Sequence, residues 1–241
     1  DLVESNWALS FRKANGQVRF TRSGVLAESL ATSYEGFPVS LGIAIGGLAR
    51  DPLNAFEASL TGVLPAATLF ARAPDLAPAL PSFPGQAQWQ VGLALGADGG
   101  AASTRRELRV QSDLQGIAIN LPAPLQKAAD TALPFALTLD MPPAGQAFSA
   151  TLGDIVQVRG RLPGPLVPLT ARLDFGPAAS ADPLPASGVM IGGHVQTLDA
   201  DGWIGLLAAG GTGNDLLRGI ALDVDSIEMA GRNFSAIRIE L

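Results

Sequence analysis

Residues 112–127 read Ser-Asp-Leu-Gln-Gly-Ile-Ala-Ile-Asn-Leu-Pro-Ala-Pro-Leu-Gln-Lys, and the interpretation of the fold starts from this stretch. Leu108 and Val110 alternate with charged or polar residues just before it, whereas Ile117 and Ile119 resume the alternation in the opposite phase. Such a change of phase is typical of a β-bulge. The prolines that follow predict a corner, because proline cannot donate a hydrogen bond to a strand ladder. We therefore expect a strand, a bulge, a second strand, a proline-fixed corner and, from Leu133 to Leu139, a further strand.

The same two-residue alternation of bulky apolar and small or polar residues recurs along most of the chain. It is clearest from Phe37 to Ile45, where Ser, Gly and Ala occupy most of the positions between the bulky residues. Turn pairs such as Asn15-Gly16 separate the runs. Helical spacing is confined to residues 65–72 and 198–207, the latter ended by glycines at 210, 211 and 213. The pattern predicts a mainly β fold of roughly a dozen strands, mostly antiparallel, with few short helices.

The composition excludes several classes of protein. Of the 241 residues, 47% are hydrophobic and 16% are charged, the net charge is −6, and cysteine is absent. This much apolar surface is not typical of a disordered chain, and the negative charge argues against a nucleic-acid binder. The absence of cysteine excludes disulfides and thiolate catalysis. No apolar run reaches the ~18 residues needed to span a bilayer.

The domain organisation is less strongly determined, since this length suits one large all-β domain or two small ones. No shift in composition marks a boundary, and strand patterns reach both ends of the sequence. We therefore expect residues 1–241 to form one continuous β segment of a larger protein.

Residues that could support catalysis or metal binding are sparse. His194 is the only histidine, and no Gly-x-Ser-x-Gly motif provides a nucleophile for it. Asp199, Asp201 and Gly202 resemble the start of a calcium loop, but the later oxygen ligands are missing, so helix capping by Asp199 is expected instead. A hydrolase that uses His194 is the weakest hypothesis. We expect no metal, no cofactor and no enzymatic activity.

Several short sequence motifs occur in a fixed order along the chain. They are Leu60-x-Gly62, Gly85-x-x-x-Trp89, residues 112–127 with Leu133-Pro-Phe135, Gly188-Val-Met-Ile-Gly-Gly-His194 with Leu198-Asp199-x-Asp-x-Trp203, and Val224-Asp-Ser-Ile-Glu-Met-Ala-Gly231-Arg232-Asn-Phe234. Together they resemble the YhdP family of large AsmA-like proteins of the Gram-negative envelope, over most of the chain. The glycine that usually precedes the lysine of the proline corner is Gln126 here.

This resemblance implies a fold, a location and a function. Such proteins are anchored in the inner membrane by an N-terminal helix, and their β-rich body crosses the periplasm as a repeating groove. The concave face of that groove is apolar and is thought to conduct phospholipids towards the outer membrane. The present residues would be a periplasmic segment of the groove, with phospholipid as partner and both membranes reached through parts outside it.

The expected fold is thus a long twisted antiparallel sheet curled into an open apolar groove. A strand of about seven residues is roughly 23 Å long, comparable to an extended acyl chain. The candidate lipid-binding residues are Leu41, Ile43, Ile45, Trp89, Val91, Leu93, Leu95, Ile117, Ile119, Leu137 and Leu139. The same side chains would also fill the closed core of a structural or adhesive envelope domain, and the residue pattern alone leaves both alternatives open.

Overall fold

A computed structural model describes residues 2–4, 9–71, 73, 76–96, 106–210 and 216–241. Its strands are β1 (Leu2–Glu4), β2 (Leu9–Asn15), β3 (Arg19–Phe20), β4 (Gly24–Tyr34), β5 (Phe37–Gly46), β6 (Asn54–Leu64), β7 (Ala87–Gly96), β8 (Arg106–Ser112), β9 (Phe135–Asp140), β10 (Ala147–Leu152), β11 (Val156–Arg161), β12 (Thr170–Phe175), β13 (Gly188–Asp199), β14 (Leu217–Met229) and β15 (Arg232–Glu240). The helices are α1 (Ala66–Leu69) and α2 (Ala200–Gly210).

All of these strands belong to one sheet. Its order is β1-β2-β4-β5-β6-β7-β8-β9-β10-β11-β12-β13-β14-β15, with β3 paired to β4 beside this path. Among the described residues the end strands β1 and β15 do not pair with each other, so the sheet is not closed into a barrel. The predicted mainly β fold with an open sheet is confirmed.

Tight turns join several of the antiparallel strand pairs. From β4 to β12 every strand pairs antiparallel with the next one in sequence. Glu35 and Gly36, which join β4 to β5, both have positive φ, and so do Ala230 and Gly231 between β14 and β15. Two consecutive residues at positive φ form the turn whose twist matches that of a hairpin. Local turn chemistry therefore sets the register of these pairs.

Two pairings near the end of the chain are parallel, which the sequence did not predict. Strand β13 runs parallel to both β12 and β14. A parallel connection needs a long crossover, and residues 176–187 and helix α2 with the residues after it provide the two crossovers. Residues 176–187 are rich in Pro, Ala, Ser and Gly, which predicts a loop, and a loop of that length is compatible with either strand direction.

The first crossover is held by a buried ion pair. Asp174 is 2% exposed; its Oδ1 lies 2.8 Å from Arg172 Nε, and its Oδ2 accepts a 3.0 Å hydrogen bond from the Ser180 backbone N–H. Arg172 Nη2 also lies 2.6 Å from Asp182 Oδ2, and Arg159 donates to the carbonyl oxygens of Ser180 and Asp182. In the register Arg159 pairs with Arg172, so both belong to one face of the sheet. The crossover therefore lies over this polar face.

The opening stretch, residues 112–127, departs from its expected form. Strand β8 ends at Ser112, and Leu114 and Gly116, both at positive φ, turn the chain away. Ile117 and Ile119 form isolated bridges to Gly85 and Lys127 instead of a second strand of the sheet. The expectation of a second strand was wrong because those residues pair with neighbouring loop segments. We call residues 113–134 the capping segment.

The glycines at 85 and 116 allow this segment to dock. Gly85 has φ +109° and Gly116 has φ +99°, and a Cβ on either would lie 2.1 Å from a backbone oxygen of the opposite segment. Hydrogen bonds from Gln86 N to Gly116 O and from Ala118 N to Pro84 O join the two segments. Neither backbone could approach the other so closely with a larger residue.

The predicted helices are present and short. Pro65 precedes α1, and Asp199 Oδ1 accepts a 2.8 Å hydrogen bond from Gly202 N at the start of α2, so capping by Asp199 is confirmed. The glycines at 211 and 213, predicted to end this helix, lie outside the described residues. So does the stretch Asp98-Gly99-Gly100, whose composition predicts a turn. Within the described ranges no helix is long and apolar enough to cross a membrane.

We predict that Gly85→Ala lowers the free energy of unfolding by about 1–3 kcal/mol, because the added methyl group and a strained φ oppose docking of the capping segment. Gly92→Ala is the matched control, since its Cβ would meet nothing within 4 Å. Urea denaturation of both variants measures the effect. Equal losses in the two variants would contradict the assigned role of Gly85.

Candidate functional site: an apolar trough

One face of the sheet is apolar from strand to strand. Directly paired residues of neighbouring strands project to the same side, and the register links Leu41 to Leu60, Leu60 to Val91, and Val91 to Val110. The same register continues through Leu137, Ala150, Val158, Leu173, Ile191 and Ile220. We call this face, with the two rims formed by the strand ends, the trough.

Charged side chains of the central strands lie on the opposite, outer face. Each of them pairs with residues that are not part of the apolar face. In strands β5–β12 they are Glu57, Glu107, Arg109, Asp140, Arg159, Arg161, Arg172 and Asp174. Arg106, the first residue of β8, is the one charged residue of these strands on the apolar face, because it pairs with Leu95. The sheet is thus strongly two-sided.

The two rims of the trough differ. One rim contains the turns 47–53, 141–146 and 162–169, and we call it the free rim. The other contains residues 65–86, the capping segment and helix α2, and we call it the capped rim. Exposure along β5 follows this division, since Leu41 is 5% exposed whereas Ile45, at the free rim, is 39% exposed.

The capped rim is densely packed around Trp89. Its indole Nε1 donates a 2.9 Å hydrogen bond to Leu64 O, and Phe70 and Phe135 contact the ring edge-on at 5.9 Å between ring centroids. Ile117 and Ile119 of the capping segment belong to the same cluster and are each 1% exposed. Apolar packing of this kind excludes water from that end of the trough.

A buried ammonium group holds the capping segment together. Lys127 Nζ donates hydrogen bonds of 2.7 Å to Ile117 O and 2.8 Å to Ala128 O. Burial lowers the pKa of the Lys127 ammonium, although the nearby carboxylates of Asp130 and Asp113 act in the opposite direction. The side chain thus donates to Ile117 O and adds a second hydrogen bond to Ala128 O, which also accepts one from the Thr131 backbone N–H.

The proline corner also contacts the far end of the sheet. Ala123 O accepts a 2.8 Å hydrogen bond from Trp203 Nε1 in α2 and a 3.3 Å hydrogen bond from Asp199 N. The Asp201 side chain accepts a 2.7 Å hydrogen bond from Ala230 N in the β14–β15 turn. The capping segment and α2 are thereby joined along the capped rim, across the ends of β9–β13.

The predicted lining residues divide into two groups. The register places those that lie in strands on the apolar face: Leu41, Ile43, Ile45, Trp89, Val91, Leu93, Leu95, Leu137 and Leu139. Ile117 and Ile119 lie in the capping segment, buried against Trp89 and Leu64. Lipid contact by any of these residues stays a prediction.

Sequence reasoning omitted residues that extend the apolar face beyond β9. They include Phe148, Val156, Val158, Leu173, Phe175, Ile191, Leu222, Ile237 and Ile239. Their two-residue alternation is as regular as that of β5, so the same signal could have identified them. A phase change between Val224 and Ile227 is visible in the burial pattern of β14.

The remaining polar candidates do not assemble a reactive site. His194 Nε2 lies 2.9 Å from Asp225 Oδ1, and both side chains are exposed on the surface. Across the part of the chain that the structure describes, no group of three or more His, Cys, Asp or Glu residues could hold a metal ion. The trough is therefore the candidate site.

One comparison with known proteins identifies a family. A family model described as YhdP protein matches residues 1–241, the whole chain. No curated protein and no solved structure matches the chain.

We predict that Lys127→Met lowers the free energy of unfolding by about 1–3 kcal/mol, because Ile117 O loses the Nζ donor inside the capped rim, whereas Ala128 O keeps the donor Thr131 N. Gln126→Met, at the exposed neighbouring position, is the control. Urea denaturation at neutral pH checks the difference, and a Lys127→Met midpoint equal to that of the control would contradict the role of the ammonium.

A pH dependence follows from the lowered pKa of Lys127. The unfolded chain binds this proton up to a higher pH than the folded chain does, so stability increases as pH rises from the folded pKa towards the ordinary value of 10.5. The difference in unfolding free energy between wild type and Lys127→Met should therefore grow in that direction. A difference that is constant from neutral pH to 10.5 would show that Lys127 is not desolvated.

Proposed function

Because the chain belongs to the YhdP family, we propose that it forms a segment of an apolar groove that carries phospholipids between the inner and outer membranes. YhdP is an envelope family of AsmA-like type, a transport family rather than an enzyme family. The proposed segment lies in the periplasm, and parts of the protein outside it anchor the groove in the inner membrane. Its ligand is phospholipid, and its chemistry requires no cofactor.

The observation that carries this proposal is the two-sided, unclosed sheet. Apolar side chains occupy one face from β4 to β15, and the charged residues of the central strands lie almost entirely on the other. A protein of this size would ordinarily bury such a face in a closed core. Among the described residues, the free rim carries no helix at Ile45 or at the turns 47–53, 141–146 and 162–169.

The free energy of contact between an acyl chain and the trough favours transport of lipid over its storage at one position. Each methylene group removed from water contributes about 0.8 kcal/mol, so shielding of a whole acyl chain is strongly favourable. A continuous floor of Leu, Ile and Val side chains offers nearly the same contact at successive positions, and a lipid can shift along it without a deep minimum. A polar site in the middle of this floor would oppose the movement, whereas polar contacts at a rim leave the floor continuous.

A second candidate function is a structural or adhesive envelope domain with a closed core. The dry cluster at the capped rim favours it locally, because Leu64, Trp89 and Ile117 are at most 2% exposed. In that case the apolar face would be permanently covered and would not take up lipid. Cross-linking at the free part of the trough distinguishes the two functions.

We predict that p-benzoylphenylalanine in place of Leu139 cross-links phospholipid, whereas the same residue in place of Thr138 does not. Leu139 pairs with Leu108 and Phe148 on the apolar face, and Thr138 pairs with Arg109 and Ser149 on the outer face. Both positions are half-buried, so accessibility is matched. The purified chain is irradiated with phosphatidylethanolamine and phosphatidylglycerol vesicles, and lipid adducts are measured by mass spectrometry.

The two functions give different adduct patterns. Adducts at position 139 alone support the groove. No adduct at position 139, with unchanged circular dichroism and a lipid-free native mass, would support the closed structural domain. Equal adducts at both positions would show adsorption to vesicles without use of the trough.

A further inference from the structure

Arg106 interrupts the apolar face at the free rim. It is the first residue of β8 and pairs directly with Leu95, while Leu108 pairs with Leu93 and Val110 with Val91. Because directly paired residues project to the same side, the Arg106 side chain starts from the floor of the trough. No other charged residue of strands β5–β12 does so.

The guanidinium of Arg106 has no partner among the described residues. Within the described ranges it makes no hydrogen bond and no ion pair, and the residue is exposed. Arg109, three positions along the same strand but on the outer face, has its Nε 2.5 Å from Glu107 Oε1. The two arginines therefore share a strand and differ in face and in partner.

The position of Arg106 suits a group that belongs at the boundary between apolar and aqueous surroundings. An arginine stem packs along apolar side chains while its charged head stays in water. The planar fork of donors matches the oxygen geometry of phosphate and binds it through two parallel hydrogen bonds. In a phospholipid, the phosphate lies at this same boundary, directly above the acyl chains.

Resting on the proposed function, we propose that Arg106 binds the phosphate of a phospholipid whose acyl chains lie in the trough. The capped rim cannot receive the headgroup, because Trp89, Ile117 and Ile119 fill it. The lipid is therefore held in one orientation, with its headgroup at the free rim. The trough consequently prefers a phosphorylated lipid over a diacylglycerol with the same acyl chains.

The test compares the affinities of the 241-residue chain for phosphatidylglycerol and diacylglycerol that carry the same fluorescent acyl chains. The wild type should bind phosphatidylglycerol roughly tenfold more tightly, the effect of one charge-assisted hydrogen-bonded contact. Arg106→Gln should bring this ratio close to one and leave the affinity for diacylglycerol unchanged. Arg109→Gln removes the same charge from the outer face of the same strand and should keep the wild-type ratio.

The outcomes separate this inference from the proposed function. An unchanged ratio in Arg106→Gln, or an equal loss in Arg109→Gln, would overturn the assignment of Arg106 while lipid binding itself stands. If the wild type binds neither lipid, the proposed function fails, and the headgroup contact fails with it.

Discussion

The structure depends on one geometric constraint, the two-residue period of side chains along a strand. Because the period is two, a slip of one residue in any pairing would move all the apolar side chains of that strand to the other face. The register nevertheless keeps them together from Leu41 through Val91, Leu137 and Leu173 to Ile220. The continuous apolar face is therefore a product of the register of all these pairs and not of any single strand.

The outer face and the capped rim stabilise this arrangement in different ways. On the outer face, the ion pair of Arg172 with Asp174 ties a crossover to the sheet through charge-assisted hydrogen bonds. At the capped rim, Trp89 and the capping segment remove apolar surface from water. Polar contacts hold the connections of the sheet, whereas apolar packing closes one end of its inner surface.

The sequence predicted those features that local pattern determines. Alternation predicted strand β5, and Asp199 marked the start of α2. It also predicted the apolar set of β5 and β7, since bulky apolar residues alternate there with small or polar ones. The family resemblance was confirmed over the whole chain.

Other features depend on contacts between distant residues, which alternation does not encode. Ile117 and Ile119 alternate as strand residues do, yet they pair with loop segments, because Leu114 adopts a positive φ that nothing in its side chain announces. The sequence does not determine the direction of β13 for a similar reason. The loop 176–187 is long enough to lead into either an antiparallel or a parallel strand. The place of Arg106 on the apolar face likewise follows only from its pairing with Leu95.

The hydrogen bond from Trp203 to Ala123 has a consequence for the order of folding. It joins residues 80 positions apart, whereas the hairpins from β4 to β11 join neighbours in sequence. Loop-closure entropy must be overcome before such a distant contact contributes, so short-range hairpins form first. The sheet can therefore lengthen one strand at a time, and the bridge along the capped rim locks a nearly complete sheet late in folding.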